Sequence, residues 1–496
     1  MRYLSTRDKS IRYTAAQAIS QGISSEGGLF VPEVLPSLSA EQIQSMSQMS
    51  YRQRALYIMG AFLKDFTTAE LTQFADKAYS ETGFDSPHIA PLNELTEDTW
   101  FLELWHGPTA AFKDMALQML PHLFTASLAK TGESKEVCIL VATSGDTGGA
   151  ALEGFCDVER TKILVFYPKD GVSALQKFQM VTQSGANVGV FGIDGNFDDT
   201  QSGVKQIFAN PALNEAIASR GYFLSSANSI NWGRLLPQIV YYVSAYCDLV
   251  RAGRIEAGDA INVAVPTGNF GNILAAYYAR QMGLPLGKLI CASNENDVLT
   301  EFFHTGVYNR NRPFHRTISP SMDILVSSNL ERLLFALSGG DDKETLAYME
   351  SLEETGRYTV LPRLKREMDQ IFWAESCKDE KTKLVIGATH KKFGYLIDTH
   401  TAVAFDVLNH YRHDTGDKTP AIVVSTASPY KFADCVLEAL GEDSSGKALA
   451  LIDRLAKVSR VSPPRSLAGL VDKRSRFGRS IEVSEMPRVL GEFLFA

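Results

Sequence analysis

The 496-residue chain reads as an α/β protein with two parallel-sheet domains and a mainly helical N-terminal domain. Three observations predict this. Two blocks, one from Val137 to about Leu224 and one beginning at Ile261, alternate short apolar strands with helices, the pattern of parallel strands joined by crossover helices. In each block an apolar strand runs straight into a glycine-rich turn and then a helix, over Ile139–Ala151 in the first and Val263–Tyr277 in the second. Residues 1–95 instead carry helix openings, at Ala40–Ile43 and Tyr51–Leu56, and no cluster of reactive side chains.

In chain order, the first block places strands at Ile139–Ala142, Ile163–Tyr167 and Val188–Phe191, with a helix at Ala174–Phe178. An amphipathic helix follows from Leu235 to about Val250. Its Tyr241, Tyr242 and Tyr246 read as packing or subunit contact rather than as a cofactor box. The second block continues through Leu289–Ala292, Leu384–Gly387 and Ile422–Ser425 as further apolar strands, and Gly339–Lys343 opens a charged helical insertion reaching about Lys383. Loops at the carboxyl ends of two such sheets place a site between the domains.

Composition bounds the function. A chain this long exceeds one core, so two to four domains are expected. A hydrophobic fraction of 45% and a charged fraction of 21% are those of a globular protein. The net charge of -8 argues against broad contact with nucleic acid or an anionic membrane, while leaving room for local positive pockets. The six cysteines have no metal-ligand spacing, and Cys138, Cys156 and Cys291, in or beside apolar runs, read as buried thiols in a reducing compartment. The nine histidines form no paired motif, so no metal is expected. No 18-residue apolar run occurs and no apolar core follows Met1–Asp8, so a cytoplasmic location without membrane contact is the expectation.

Three segments carry chemistry. His106–Asp114 puts Lys113 just after a Gly-Pro turn and at the start of an apolar helix, where poor hydration and the positive end of a helix dipole favour the neutral, carbonyl-attacking amine. A surface lysine in a first helical turn is the alternative. Thr267–Asn272 has no Gly-Lys-Ser/Thr and no Gly-x-Gly pair, so a lone phosphate is its natural ligand, approached by Gly268 and Gly271 and by the first amides of the helix. Thr143–Thr147 supplies hydroxyls and loop amides for a second anion, a carboxylate or phosphate, or else merely caps its helix.

A lysine of this kind, a Thr-Ser-Gly-Asp-Thr loop and a later Gly-Asn-Phe-Gly-Asn loop, in that order, resemble the tryptophan-synthase-beta family of pyridoxal phosphate enzymes (fold type II). Within it the Lys113 stretch is similar to the threonine synthases, as are Ser5–Arg7, Gly27–Pro32, Ser225–Arg234, Ser319–Ile324 and Val326–Asn329. The resemblance runs from about residue 2 to 440. It departs at Thr426-Ala427-Ser428-Pro429-Tyr430-Lys431-Phe432, where the family commonly has histidine at the place of Ser428. It implies an N-terminal domain over 1–95, a small mobile domain over about 131–255, and a cofactor domain over about 96–130 plus 256–440. Residues 441–496 are left without a role.

The resemblance implies pyridoxal 5'-phosphate carried by Lys113, which also moves protons. It implies a phosphate loop of Gly268, Asn269, Phe270, Gly271 and Asn272, Thr426 at the ring nitrogen, and Asp146 near the ring hydroxyl. Thr143 and Ser144 would take a substrate carboxylate, and Thr147, Asn228, Ser229 and Arg234 a substrate phosphate, or Arg234 would cap a domain contact. The implied reaction converts O-phospho-L-homoserine and water to L-threonine and phosphate, in a monomer or homodimer. The alternatives are a dehydratase or phospho-lyase of the same family, or a phosphate-ligand-binding homologue without activity. The grouping of Arg234 with Asn228 and Ser229 argues against a dehydratase, and Lys113 against the last.

Overall fold

The computed structural model describes residues 1–169 and 172–495. A six-stranded sheet runs Phe372–Ser376, Leu286–Ser293, Ile261–Pro266, Ala421–Ser425, Thr99–Glu103, Leu92–Thr96; all neighbours are parallel except the last pair, an antiparallel hairpin. A five-stranded, wholly parallel sheet runs Ser480–Ile481, Val188–Ile193, Thr161–Pro168, Glu136–Ala142, Tyr222–Ser225. Ile261–Pro266 is buried at every position, as expected of a central strand covered on both faces.

The helix Trp232–Arg251 links the regions, packing against Gly271–Gln281, Tyr51–Phe62, Ala40–Ser47 and Asp114–Leu117. Its tyrosine stripe is internal packing, with Tyr241, Tyr242 and Tyr246 all buried. The N-terminal helices begin at capping boxes (Thr14 with Gln17, Ser39 with Gln42, Ser50 with Gln53, Thr67 with Glu70), each closing two helix-end amides reciprocally. A small antiparallel sheet of Tyr3–Ser5, Arg12–Tyr13 and Phe30–Pro32 accompanies them.

Three sequence expectations are corrected. Leu384–Gly387 is not a strand but lies in the helix Asp379–Phe393, where Thr382, Ile386 and Thr389 are buried at helical spacing and Leu384 is 69% exposed. The insertion is not purely helical: between the helices Asp342–Thr355 and Pro362–Ile371 lies the strand Arg357–Thr359, and Phe372–Ser376 then becomes an edge of the large sheet. Cys156 is half-buried, whereas Cys138 and Cys291 are buried and burial pushes their thiols up to about 12.

Beyond residue 440 the helix Ala448–Ser459 packs on Ala433–Ala439. The chain then crosses to the five-stranded sheet, where the Arg476 guanidinium donates to the carbonyls of Gln183 and Gly185. Ser480–Ile481 pairs with Val188–Ile193, and Val489, Leu490 and Leu494 of the helix Met486–Phe495 join the cluster of Ile193, Val204 and Ile207.

Candidate active site

A cavity of about 620 Å³ opens where the carboxyl ends of both sheets converge. Lys113, Thr143, Ser144, Thr147, Asn228, Ser229, Arg234, Gly268, Asn269, Phe270, Gly271, Asn272 and Thr426 all line it. Asp146 does not; it stands behind Lys113.

One end is formed by the turn after Ile261–Pro266. Gly268 must be glycine, because a Cβ there would lie 2.5 Å from the Ser321 carbonyl oxygen. Phe270 holds a left-handed conformation (φ 64°), normally unfavourable for a side chain, with its ring stacked against Phe303. The helix Gly271–Gln281 then starts with amides that have no carbonyl before them. Asn272 accepts through Oδ1 from the Tyr241 and Tyr242 hydroxyls, which leaves its buried Nδ2 without a partner among the described residues. A buried donor of this kind is costly unless an anion takes it.

Lys113 is placed by strand-like contacts between two loops. Phe112 donates its amide to the Thr426 carbonyl at 2.8 Å and Ser428 to that of Ala110 at 3.1 Å, so Thr426 stands opposite Phe112 and lines the same cavity as the lysine. The Ser428 hydroxyl accepts from the Tyr430 amide and starts the turn Pro429–Phe432. Lys113 Nζ lies 3.3 Å from Asp146 Oδ2 and 3.1 Å from Ser321 Oγ. Burial, aided by the positive charges of Arg234 and Lys431, lowers the lysine's pKa against the opposing pull of Asp146. The expected dipole contribution is corrected, since the helix after Lys113 is only Asp114–Leu117 and too short for a substantial macrodipole.

Also in the cavity wall, Arg234 is 5% exposed, donates to the Ala227 carbonyl at 2.6 Å, and has no carboxylate within ion-pair distance among the described residues. Burial lowers it to about 10. An uncompensated buried guanidinium in a cavity wall is a receptor for an anion. Asn228 Oδ1 accepts from the Ser229 amide and hydroxyl, and Ser229 Oγ from Asn329 Nδ2. Thr143 Oγ1 accepts from the amides of Gly145 and Gly148, tying down the start of the helix Asp146–Phe155.

Several participants escaped the sequence reading. Ser321 joins Lys113 and Asp146, and its amide donates to His400 Nε2, whose other ring nitrogen pairs with Asp398 at 2.8 Å. Lys431 Nζ is 2.7 Å from Asp146 Oδ1, which also accepts from Gln176. The signal for Lys431 was a lysine between Tyr430 and Phe432 in an already notable segment; nothing local marks His400 or Gln176. His106 clamps the start of the lysine loop. Burial alone would push its pKa down, but Asp85 at 2.6 Å and Glu103 at 2.8 Å hold it up at about 9.

A glycine-defined turn, an orphaned amide beside free helix amides, and a poorly hydrated lysine in one cavity fit a phosphorylated aldehyde. The chain matches the family of pyridoxal-phosphate dependent enzymes over residues 85–363, more than half its length, and it belongs to that family. Flanking matches to the threonine synthase N terminus over 2–79 and the threonine synthase C-terminal region over 401–484 narrow this. Threonine synthase from Pseudomonas aeruginosa is 38% identical, with 92% of this chain and 93% of that one covered. Human threonine synthase-like 1 is 42% identical over 86% of this chain, which spans 58% of the human protein's length. The pyridoxal-phosphate-bound structure of threonine synthase from Brucella melitensis superposes with a TM-score of 0.88 at 34% identity, covering 100% of both chains. The chain is a member of the threonine synthase family.

Proposed function

We propose that this chain converts O-phospho-L-homoserine and water to L-threonine and phosphate. One observation carries the reading. A single cavity has two anion-receiving groups on its wall together with Lys113: the Gly268–Asn272 turn, and Arg234, which has no ion-pair partner among the described residues. The first suits the phosphate of the cofactor and the second that of the substrate.

Pyridoxal 5'-phosphate, when bound, supplies an electron sink for negative charge developing on substrate carbon. The loop and helix amides of residues 268–272 and Asn272 Nδ2 would hold its phosphate. Thr426 would give its ring nitrogen an uncharged hydrogen-bonding partner, and Asp146 would act near its ring hydroxyl through Lys113 and Ser321. Thr143 and Ser144 receive the substrate's α-carboxylate. Arg234, with Thr147, Asn228 and Ser229, grips the γ-phosphate and keeps it oriented as the bond to Cγ breaks. Lys113, held nearly dry, takes a proton from Cα and returns protons along the carbon chain as base and then acid. Water adds at Cβ. The protein works as a monomer or homodimer in the cytoplasm, in keeping with six unpaired cysteines.

The test is to incubate cofactor-loaded protein with O-phospho-L-homoserine and measure products. Threonine and phosphate in equal amounts are expected. Phosphate with 2-ketobutyrate and no threonine would make the chain a phospho-lyase, and no phosphate release would end the proposal.

A further inference from the structure

Asp146 is 4% exposed and fully engaged. Its Oδ2 accepts from Lys113 and Ser321, and its Oδ1 from Gln176 at 2.9 Å and Lys431 at 2.7 Å. Lys431 is 2% exposed, and its Nζ also donates to the Thr109 carbonyl at 2.9 Å, within the loop that carries Lys113. One carboxylate therefore sits between two buried lysines, and the nearer is not the one facing the cavity.

A dry carboxylate paired with Lys113 alone would fix a proton on that amine, because separating a buried ion pair is costly. A protonated amine attacks no carbonyl and accepts no proton. The other charged groups around Lys113 do not supply the missing cation. Arg234 faces the cavity, where it has an anion of its own to receive. The Asp114 carboxylate is held by the Thr109 amide and hydroxyl, and Asp323 by Thr317 and Asn294. His400 pairs with Asp398.

We propose that Lys431 is a positioning residue, the permanent counter-ion of Asp146, which leaves Lys113 without one. The Asp146–Lys431 pair is neutral as a unit. It stays so when Lys113 is free and when Lys113 is covalently engaged, so the carboxylate never needs the catalytic amine for charge balance. The tie to Thr109 also keeps the lysine loop in register with residues 426–431.

This rests on Lys113 as the reactive amine, but its test needs neither cofactor nor substrate, so it fails separately from the proposed reaction. Full-length protein stripped of cofactor is labelled with trace acetic anhydride across a pH series, and each lysine's titration is read by mass spectrometry of its peptide. In the wild type Lys113 is expected to titrate below the ordinary lysine value of about 10.4. In Lys431→Met the Lys113 profile should move up by at least about one pH unit, a roughly tenfold loss of labelling at pH 8. Lys431→Arg, which keeps the charge, should restore it. A Lys113 profile unchanged in folded Lys431→Met, or shifted but not restored by arginine, overturns the proposal. So does a wild-type Lys113 that titrates at or above the ordinary lysine value, a reading that requires no variant to fold.

Discussion

The loop leaving Ile261–Pro266 and the loop leaving Glu136–Ala142 share an outline of apolar strand, small polar turn and helix, and both reach the same cavity. They use their polar groups differently. In the first, Tyr241 and Tyr242 hold only one side of Asn272, and its side-chain nitrogen has no partner among the described residues. In the second, Thr143 uses its acceptor capacity on Gly145 and Gly148, and Asp146 is occupied by four donors. A free buried donor marks a place for a ligand. Satisfied acceptors mark a framework that holds other groups still, and leave Thr143 only its hydroxyl proton to offer a substrate carboxylate. Similar sequence outlines thus conceal opposite duties.

The most severe break would come at Lys113, which lines the cavity that both loops reach. Lys113→Ala should abolish the visible absorption of the bound cofactor and lower kcat at least about a thousand-fold. A variant that stays yellow and active removes the lysine from the site. Next, Arg234→Ala should leave that absorption intact while reducing kcat/KM at least about thirty-fold, the equivalent of losing roughly 2 kcal/mol from a desolvated charge-assisted contact. Wild-type kinetics would make Arg234 structural.

The contrast between the loops is sharpened by a pair of substitutions. Asn272→Leu should raise the dissociation constant of the cofactor about tenfold or more, since hydrogen bonds to charged groups contribute roughly 1.5–3 kcal/mol. Thr143→Val should leave that constant unchanged and lower stability by about 1 kcal/mol, as for loss of a helix cap. Equilibrium dialysis and chemical denaturation of both proteins would expose a reversed pattern. The smallest effect is expected at Thr426→Ala, where one neutral hydrogen bond of about 0.5–1.5 kcal/mol is lost. Thr426→Asp should instead divert product toward 2-ketobutyrate, because a carboxylate raises the basicity of a neighbouring ring nitrogen. Identical product ratios from both variants at full cofactor occupancy would place Thr426 away from the ring.

Strand–turn–helix units were legible because apolar runs ending in glycine and hydroxyl residues have few other uses. The helix around Leu384 was not, since four apolar residues look alike in either period. The acidic start at Asp379 and Glu380, the basic end at Lys391 and Lys392, and Gly394 (φ 66°) were the better guide. Phe372–Ser376 was hidden behind a charged helix, and only its pairing with Leu289–Ser293 makes it a sheet edge. In the site, residues that touch the cavity fell in recognisable loops. Those that tune them, Lys431, Ser321, His400 and Gln176, come from separate segments and meet only through folding.

The short strand Ser480–Ile481 covers the outer edge of Val188–Ile193 at Gly192 and Ile193, and the helix after it lays Val489, Leu490 and Leu494 against the same layer. During synthesis the strand it protects emerges long before its cover. Throughout that interval the nascent sheet presents unpaired backbone and bare aliphatic surface, the ingredients of edge-to-edge association. A chain cut before Ser480 would carry the same liability for its whole lifetime.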